Sequence, residues 1–189
     1  GLSVGIGFGM QTIVNNFLSG LILIFSRTLH EGDVIDVGNL QGVVRKISVR
    51  ATTVETFDNA IIFVPNSEFV SNRLINWTRN GRIVRREVAI GVAYGTDPKL
   101  VERLLVEVAQ SVPQIVRRPQ PFVLFMDFAD STLNFVLRYW SDIGTATDAA
   151  SAIRHRIVEV FAEHQVEIAF PQLDVHVIPQ TPSLTRAEG

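Results

Sequence analysis

The sequence contains no cysteine. That excludes disulfides, thiolate zinc sites and thiol nucleophiles. Charge is scarce: Asp, Glu, Lys and Arg make up 19% of the 189 residues, against about 25% in ordinary soluble domains. There is no basic excess. The net charge is −2 and the isoelectric point is near 6.1, which argues against a dedicated nucleic-acid binder. The most informative absence is local. Residues 1–26 carry no charge at all, and the first charged residue is Arg27. As a helix that stretch reaches about 39 Å, enough for a hydrocarbon core of about 30 Å. It has neither the basic start nor the small-residue cleavage pattern of a signal peptide. Gln11, Thr12, Asn15, Asn16 and Ser19 also set it apart from a plain lipid-facing span.

What is present in this stretch divides at residue 10. On a helix, Gly1, Gly5 and Gly9 fall on one face and Ser3 and Gly7 on a second. Val4 and Phe8 lie between them, and Leu2, Ile6 and Met10 lie opposite. Each glycine costs a helix about 1 kcal/mol against alanine, so this density needs a reason. Two small faces flanking one apolar ridge suit a ring of identical helices, with Val4 and Phe8 at the axis. A loose glycine-rich loop is the competing reading. A dinucleotide loop is a third, but GIGFGM lacks the last glycine of GxGxxG and follows no strand. From residue 10 on, Gln11, Asn15, Asn16 and Ser19 share one face. Met10, Val14, Phe17, Leu18, Leu21 and Phe25 share the other. This amphipathic helix without charge fits an interface or a protein surface. The change of facing at Gln11 and Thr12 predicts a kink, although no proline enforces it. One straight helix on a soluble body is the alternative.

Residues 28–79 read as short strands with tight turns, the pattern of a small barrel. Strands are expected at 34–37, 40–48, 52–57 and 60–64, the last two joined by a two-residue Asp58-Asn59 hairpin. A short helix is expected at 67–70. Residues 83–178 read as β-α-β-β-α-β, the ferredoxin-like order. Strands are expected at 83–93, 122–128, 132–140 and 172–178. The first helix starts at Thr96-Asp97-Pro98 with stripe Val101, Leu104, Leu105 and Val108, and stops at Pro113. Thr147 or Asp148 caps the second, whose stripe is Ile153, Ile157, Val160 and Phe161. The chain thus divides into a helix over 1–27, a β domain over 28–79, an α/β domain over 80–178 and a disordered tail over 179–189. The fold class is α+β with a transmembrane or amphipathic helix.

The usual chemistry is missing. Of the histidines, His30, His155, His164 and His176, His155 and His164 point opposite ways on one helix and cannot share a metal. His164 reads as a packed or edge residue. Asp33 with Asp36, and Asp127 with Asp130, have the spacing of turn residues. Ser67, Ser131 and Ser141 show no base partner and no nucleophile elbow. Asn76-Trp77-Thr78 matches a glycosylation sequon. Arg79, Arg82, Arg85 and Arg86 form a basic run, read as a solvated strand edge or a phosphate or headgroup contact. No catalytic residue, metal or cofactor is assigned, and the chain is not expected to be an enzyme.

The motifs do meet a known family. GFGMQTIVNNFLSGLILIFSRTLHEGDVIDVG, then GVV, TTVETFDN, VPNSEF and INWT, then GVAYGTD, DSTLNFVLRYW and FPQLDVHV resemble the small-conductance mechanosensitive channel family over residues 1–178. Within it the chain is most similar to the branch of the large potassium-dependent homologue, through VRAT and LINW. The resemblance implies homoheptamers in a bacterial-type inner membrane. A kinked helix lines the pore, and an Sm-like β domain and an α/β domain form a cytoplasmic vestibule from residue 28 onward. Tension opens the pore, and ions and small solutes leave during hypo-osmotic shock. The partners implied are other copies of the chain, membrane lipids and the permeating ions and solutes, with no nucleic acid.

By position, the resemblance makes Val4 and Phe8 the pore constriction and Gly5, Gly7 and Gly9 the helix seams. It makes Gln11 and Thr12 the kink. Met10 and Val14 become contacts of a tension-sensing hairpin, and Asn16 the coupling of the second half-helix to the β domain. Thr12 stands where glycine is usual, and Phe8 where leucine is usual. The resemblance also implies that the chain begins inside the pore helix, with tension-sensing helices preceding it in a longer protein. Pro179 and Pro182 leave no clear strand for a terminal barrel. The competing function is a soluble ring-forming scaffold or an RNA-binding Sm-like module, which would need a basic surface and stacking aromatics. An enzyme would need a convergent polar pocket.

Overall fold

A computed structural model of the chain describes residues 2–175, with the backbone alone for residues 2–6 and Phe8. His176, the expected tail 179–189 and the last residues of the expected strand 172–178 lie outside the described residues.

The uncharged segment forms one helix, α1 (Leu2–Ser26), and its hydrogen bonding runs unbroken through Gln11 and Thr12. Five antiparallel strands follow: β1 (Val34–Val37), β2 (Leu40–Ile47), β3 (Ala51–Thr56), β4 (Ile61–Pro65) and β5 (Leu74–Asn76), with α2 (Asn66–Ser71) between β4 and β5. Their order in the sheet is β4-β3-β2-β1-β5. Inward side chains Ile35, Val37, Val44, Val54 and Val64 build the core with Phe69 of α2. Leu29 and Leu23 enter from the helix side. Arg45 bulges between Val44 and Lys46 and forms a forked ion pair with Glu55, at 2.6 and 3.0 Å.

The β3–β4 connection differs from the expected two-residue hairpin. The Asn59 N–H donates to the Thr56 carbonyl at 3.0 Å, and Asn59 has φ 65°. This is a turn through Phe57 and Asp58 closed by a left-handed asparagine, the three-residue hairpin solution. Asparagine tolerates that conformation because its short polar side chain bonds locally.

The second sheet contains β6 (Ile83–Val92), β7 (Phe122–Phe128) and β8 (Leu133–Asp142), with order β6-β8-β7. Helices α3 (Pro98–Ser111) and α4 (Ala146–Glu163) cover one face. The expected stripes of both helices are buried against Val88, Ile90, Val92, Phe135, Leu137 and Tyr139. The Asp97 side chain caps α3 by accepting the Lys99 N–H, with Pro98 in the first turn.

Two boundaries in this module need correction. Helix α4 starts before Thr147 and Asp148, with Thr145 at its N-cap. A 3-10 turn over Ile143–Thr145 leads into it, held by the Asp142 carboxylate accepting the Gly144 N–H at 2.7 Å. The closing strand expected at 172–178 is not formed at 172–175. The chain returns sooner, because Gln165 with φ 56° turns it just after α4. Ile168 then bridges Val92 in antiparallel sense. The flanking bonds are Ala93 N–H to Glu167 O and Ala169 N–H to Gly91 O, each at 3.0 Å. Pro171 has no N–H to continue the ladder. The β-α-β-β-α-β order survives, with a short return leg beside β6.

Arg82 donates twice to Asp142, at 2.9 and 3.1 Å. These bonds, and then the Gly144 N–H, hold the Asp142 carboxyl below the usual carboxylate range. A lowered folded-state value makes the contribution complete above the unfolded carboxylate range and lost as pH falls through the folded value. Both partners are more than a third exposed, so the pair is worth at most about 1 kcal/mol. Asp142→Asn should cost no more than that at neutral pH and flatten the acid side of the stability profile. Urea midpoints across a pH series test this; an unchanged acid limb in the variant would refute it.

Candidate membrane helix and its seat

Helix α1 is amphipathic in the reverse sense to an ordinary surface helix. Among the described side chains its buried residues are Asn16, Ser19, Gly20 and Leu23, at the i, i+3, i+4, i+7 spacing of one narrow stripe. Three of the four are polar or have no side chain. Of the expected polar face, Gln11 and Asn15 are exposed and only Asn16 and Ser19 are buried. The far side carries Met10, Val14, Phe17, Leu18, Ile22 and Phe25, all exposed, Phe25 to 80%. Burying such a surface is worth roughly 25 cal/mol per Å², and monomeric soluble proteins rarely leave so large a contiguous apolar patch in water. The helix therefore turns its polar stripe to the protein and its apolar face outward.

The seat explains why polarity points inward. Asn66, the first residue of α2, has no exposed surface. Its Nδ2 donates to the Ser48 and Val49 carbonyls at 2.8 and 3.0 Å. Its Oδ1 accepts the Thr52 hydroxyl at 2.9 Å, and its N–H donates to the Arg50 carbonyl at 3.2 Å. This ties the β2–β3 loop to the start of α2. Gly20 packs directly on that knot: a Cβ there would run into the Val49 carbonyl and lie 2.5 Å from Asn66 Nδ2. Only glycine admits this approach.

Asn16 completes the contact. Its Nδ2 donates to the Thr12 carbonyl one turn back, and its Oδ1 accepts the Ser67 N–H, both at 3.0 Å. Helix α2 has Pro65 at its N-cap and no side-chain cap of its own. An orphan N–H at a helix start needs an acceptor, and Asn16 supplies it across 51 residues of sequence.

Among the other residues singled out in the sequence, Met10 and Val14 lie on the outward apolar face, and Gln11 and Thr12 are exposed. A Cβ added at Gly7 or Gly9 meets nothing within 4 Å. Of Val4, Gly5 and Phe8 only the helical backbone is described. Sequence reasoning missed Asn66, Thr52 and Gly20. The available signal was a polar side chain directly after Pro65, together with a glycine four residues beyond Asn16. Elsewhere, Asp33 is a turn residue as expected, whereas Asp36 lies within β1 and Asp127 within β7. Asp33 accepts the His30 N–H at 2.9 Å and the Asn76 amide at 2.7 Å. His164 stands at the C-cap of α4, with Nδ1 3.0 Å from the Val160 carbonyl.

Residues 9–26 of this helix are long and apolar enough to cross a membrane by length and composition, and the helix is rooted in a β module that is followed by an α/β module. Residues 12–79 match the model of the mechanosensitive ion channel β-domain. Residues 87–168 match that of the MscS mechanosensitive channel C-terminal region. The chain belongs to the MscS family of mechanosensitive ion channels. It is 45% identical to an MscS family protein of Haemophilus influenzae over 177 residues, and 40% identical to mechanosensitive channel MscK of Escherichia coli. Each alignment covers 93% of this chain and 16% of the relative. It is 31% identical to the small-conductance mechanosensitive channel of Edwardsiella ictaluri, covering 92% of this chain and 60% of the relative. The closed-state crystal structure of Helicobacter pylori MscS superposes with a TM-score of 0.86 at 26% identity, covering 95% of this chain and 71% of that one. The chain therefore spans only part of the relatives it matches.

Gly20→Val should force α1 off its seat and cost about 1–3 kcal/mol of docking stability. Asn16→Ala should cost about 1 kcal/mol, the usual value of a lost cap, and selectively speed amide exchange at Ser67. Exchange at Ser67 unchanged in Asn16→Ala would contradict the capping role.

Proposed function

We propose that the chain is the pore-lining and vestibule part of a tension-gated ion channel that releases ions and small solutes on hypo-osmotic shock. The observation that carries this reading is the reversed amphipathicity of α1: its outward apolar face needs lipid or neighbouring apolar helices. Family membership supports the same reading, and the names of the relatives MscK and MscM of Escherichia coli agree with it. The soluble scaffold or RNA-binding alternative leaves the outward face of α1 without an apolar partner.

In this reading the assembly is a homoheptamer in a bacterial inner membrane, with residues 28–189 in the cytoplasm. The functional units are the helix 1–27, the β domain 28–79, the α/β domain 80–178 and the tail 179–189. Val4 and Phe8 form the constriction, where an apolar ring closes the pore by dewetting. Gly5, Gly7 and Gly9 form the seams between neighbouring helices. The open space beside Gly7 and Gly9 in the single chain leaves room for close approach. Gln11 and Thr12 are where the helix bends on gating, within continuous hydrogen bonding. Met10 and Val14 meet lipid and the tension-sensing helices of the complete protein. Asn16 passes helix movement to α2 and the β domain through Ser67. Tension shifts the balance only as far as the membrane favours the wider state.

Pressure-clamp recording on patches carrying the complete protein tests the gate. Phe8→Ser should hydrate the constriction, lower the opening pressure and raise the resting leak. Gly9→Val should hinder assembly or opening. An unchanged threshold and leak in Phe8→Ser would remove the gate from residues 4–8. Normal assembly and opening in Gly9→Val would remove the seam.

A further inference from the structure

The two sheets share no strand, and their apolar cores are separate. Residues 77–82, between β5 and β6, are the chain's link from one module to the other. Both ends of the link are tied down. At the α/β end, Arg82 holds Asp142, and its carbonyl accepts the Ile143 N–H at 2.9 Å. At the β end, the Trp77 N–H donates to the Val34 carbonyl at 2.9 Å. The Thr78 hydroxyl accepts the Val34 N–H at 3.1 Å and donates to Asp33 Oδ1 at 3.2 Å. Asp33 Oδ2 takes the Asn76 amide and the His30 N–H. The last tie is Arg79, with a guanidinium nitrogen 2.9 Å from His30 Nδ1. His30 directly follows Leu29, which is buried in the β core. The cluster therefore joins the exit of α1 to the link between modules.

The Arg79 contact fixes the state of the imidazole. A guanidinium can only donate, so His30 Nδ1 accepts, and the ring is neutral with its proton on Nε2. The other charged group beside Nδ1 is Asp33, with Oδ2 at 3.8 Å. Arg27 and Glu31 flank His30 along the chain, and the Glu31 carboxylate accepts the Ile47 N–H at 3.4 Å. Among the described residues Arg79 forms no ion pair. Histidine is the side chain whose charge changes in the physiological pH range. A second proton on this ring goes to Nδ1. That removes the acceptor, sets two cations against each other and makes Nδ1 a donor facing Asp33. The tie changes hands, from Arg79 to the oxygen that also holds Asn76.

We infer that His30 is a proton-operated latch on the link between the two modules. It is closed on Arg79 while the ring is neutral and open when the ring is charged. Acidification thus loosens residues 78–81 without unfolding either core. The inference does not depend on the channel reading; either can fail without the other.

Nitrogen-15 NMR and amide exchange on the detergent-solubilised full chain test the latch. At pH 8 the His30 ring should show the Nε2–H tautomer, its signals assigned by their loss in His30→Asn. The reporter in the link is the Gly81 N–H, which donates to the Thr78 carbonyl at 3.1 Å. Its protection factor should fall about fivefold between pH 8 and pH 5, as expected for one lost hydrogen bond. Amides of β2 and β8 should keep theirs. In His30→Asn the side-chain oxygen takes the place of Nδ1 and does not titrate, so Gly81 should stay protected at both pH values. In Arg79→Ala it should be poorly protected at both. A proton on Nδ1 at pH 8 overturns the latch. So does a wild-type change at Gly81 no larger than that in His30→Asn, or wild-type protection at pH 8 retained in Arg79→Ala.

Discussion

Asn66 sits without exposed surface where α1, the β2–β3 loop and the start of α2 meet, and it bonds four groups there through its side chain and N–H. Net gain from each such bond is about 1 kcal/mol, but a buried group left unpaired costs about 1–3 kcal/mol. The knot is thus worth more as a constraint than as a source of stability. Gly20 fits onto it only because nothing projects from its Cα. Asn16 adds a bond of fixed length to Ser67. A one-residue slip of α1 would rotate it by about 100°, bring Phe17 or Leu21 onto the knot and leave polar groups unpaired. The rotation of α1 about its axis is therefore specified from the inside.

The outward face follows from that constraint. With Asn16, Ser19, Gly20 and Leu23 inward, Val14, Phe17, Leu18 and Phe25 have no choice but to face away from the β domain. An ordinary soluble helix buries its apolar stripe and wets its polar one. Here the assignment is reversed, and the free energy left in the exposed face is available to a second apolar phase. On the proposed reading that phase is the membrane, and the same knot that aims the apolar face outward carries movement of the helix into the β domain. Among its described side chains, Leu23 alone anchors the helix in the apolar core of that domain, so polar geometry rather than bulk burial sets its register.

Much of this was legible in the sequence. The β domain declared itself through its short apolar runs, although the connection at Asp58-Asn59 is a residue longer than the expected hairpin turn. The α/β domain did so through clear helical stripes and the Asp97-Pro98 start. Misplaced features share a cause, which is that a local choice was settled by neighbours. Strand β5 has three residues, too few for alternation to register, and exists because β1 offers it an edge. The start of α4 moved because Asp142 is engaged by Arg82 and Gly144. The return leg formed early because Gln165 turns the chain. At the helix, the pattern revealed two unlike faces but not which one the protein would cover. Amphipathicity fixes a direction only when the partner surface is known, and the partner here is the Asn66 knot, assembled from residues up to 50 positions away. Asn66 itself reads in the sequence as the stop after Pro65.

The central claim is that the polar stripe of α1 faces protein while its opposite side faces hydrocarbon. The absence of native cysteine in this chain makes single-cysteine spin labelling a direct test on the membrane-reconstituted protein. Labels at Val14→Cys, Phe17→Cys, Leu18→Cys and Phe25→Cys should be accessible to lipid-soluble oxygen and shielded from a water-soluble nickel chelate. Labels at Ser19→Cys and Leu23→Cys should be shielded from both. Free access of the nickel chelate to positions 14, 17, 18 and 25 would place that face in water and contradict the account.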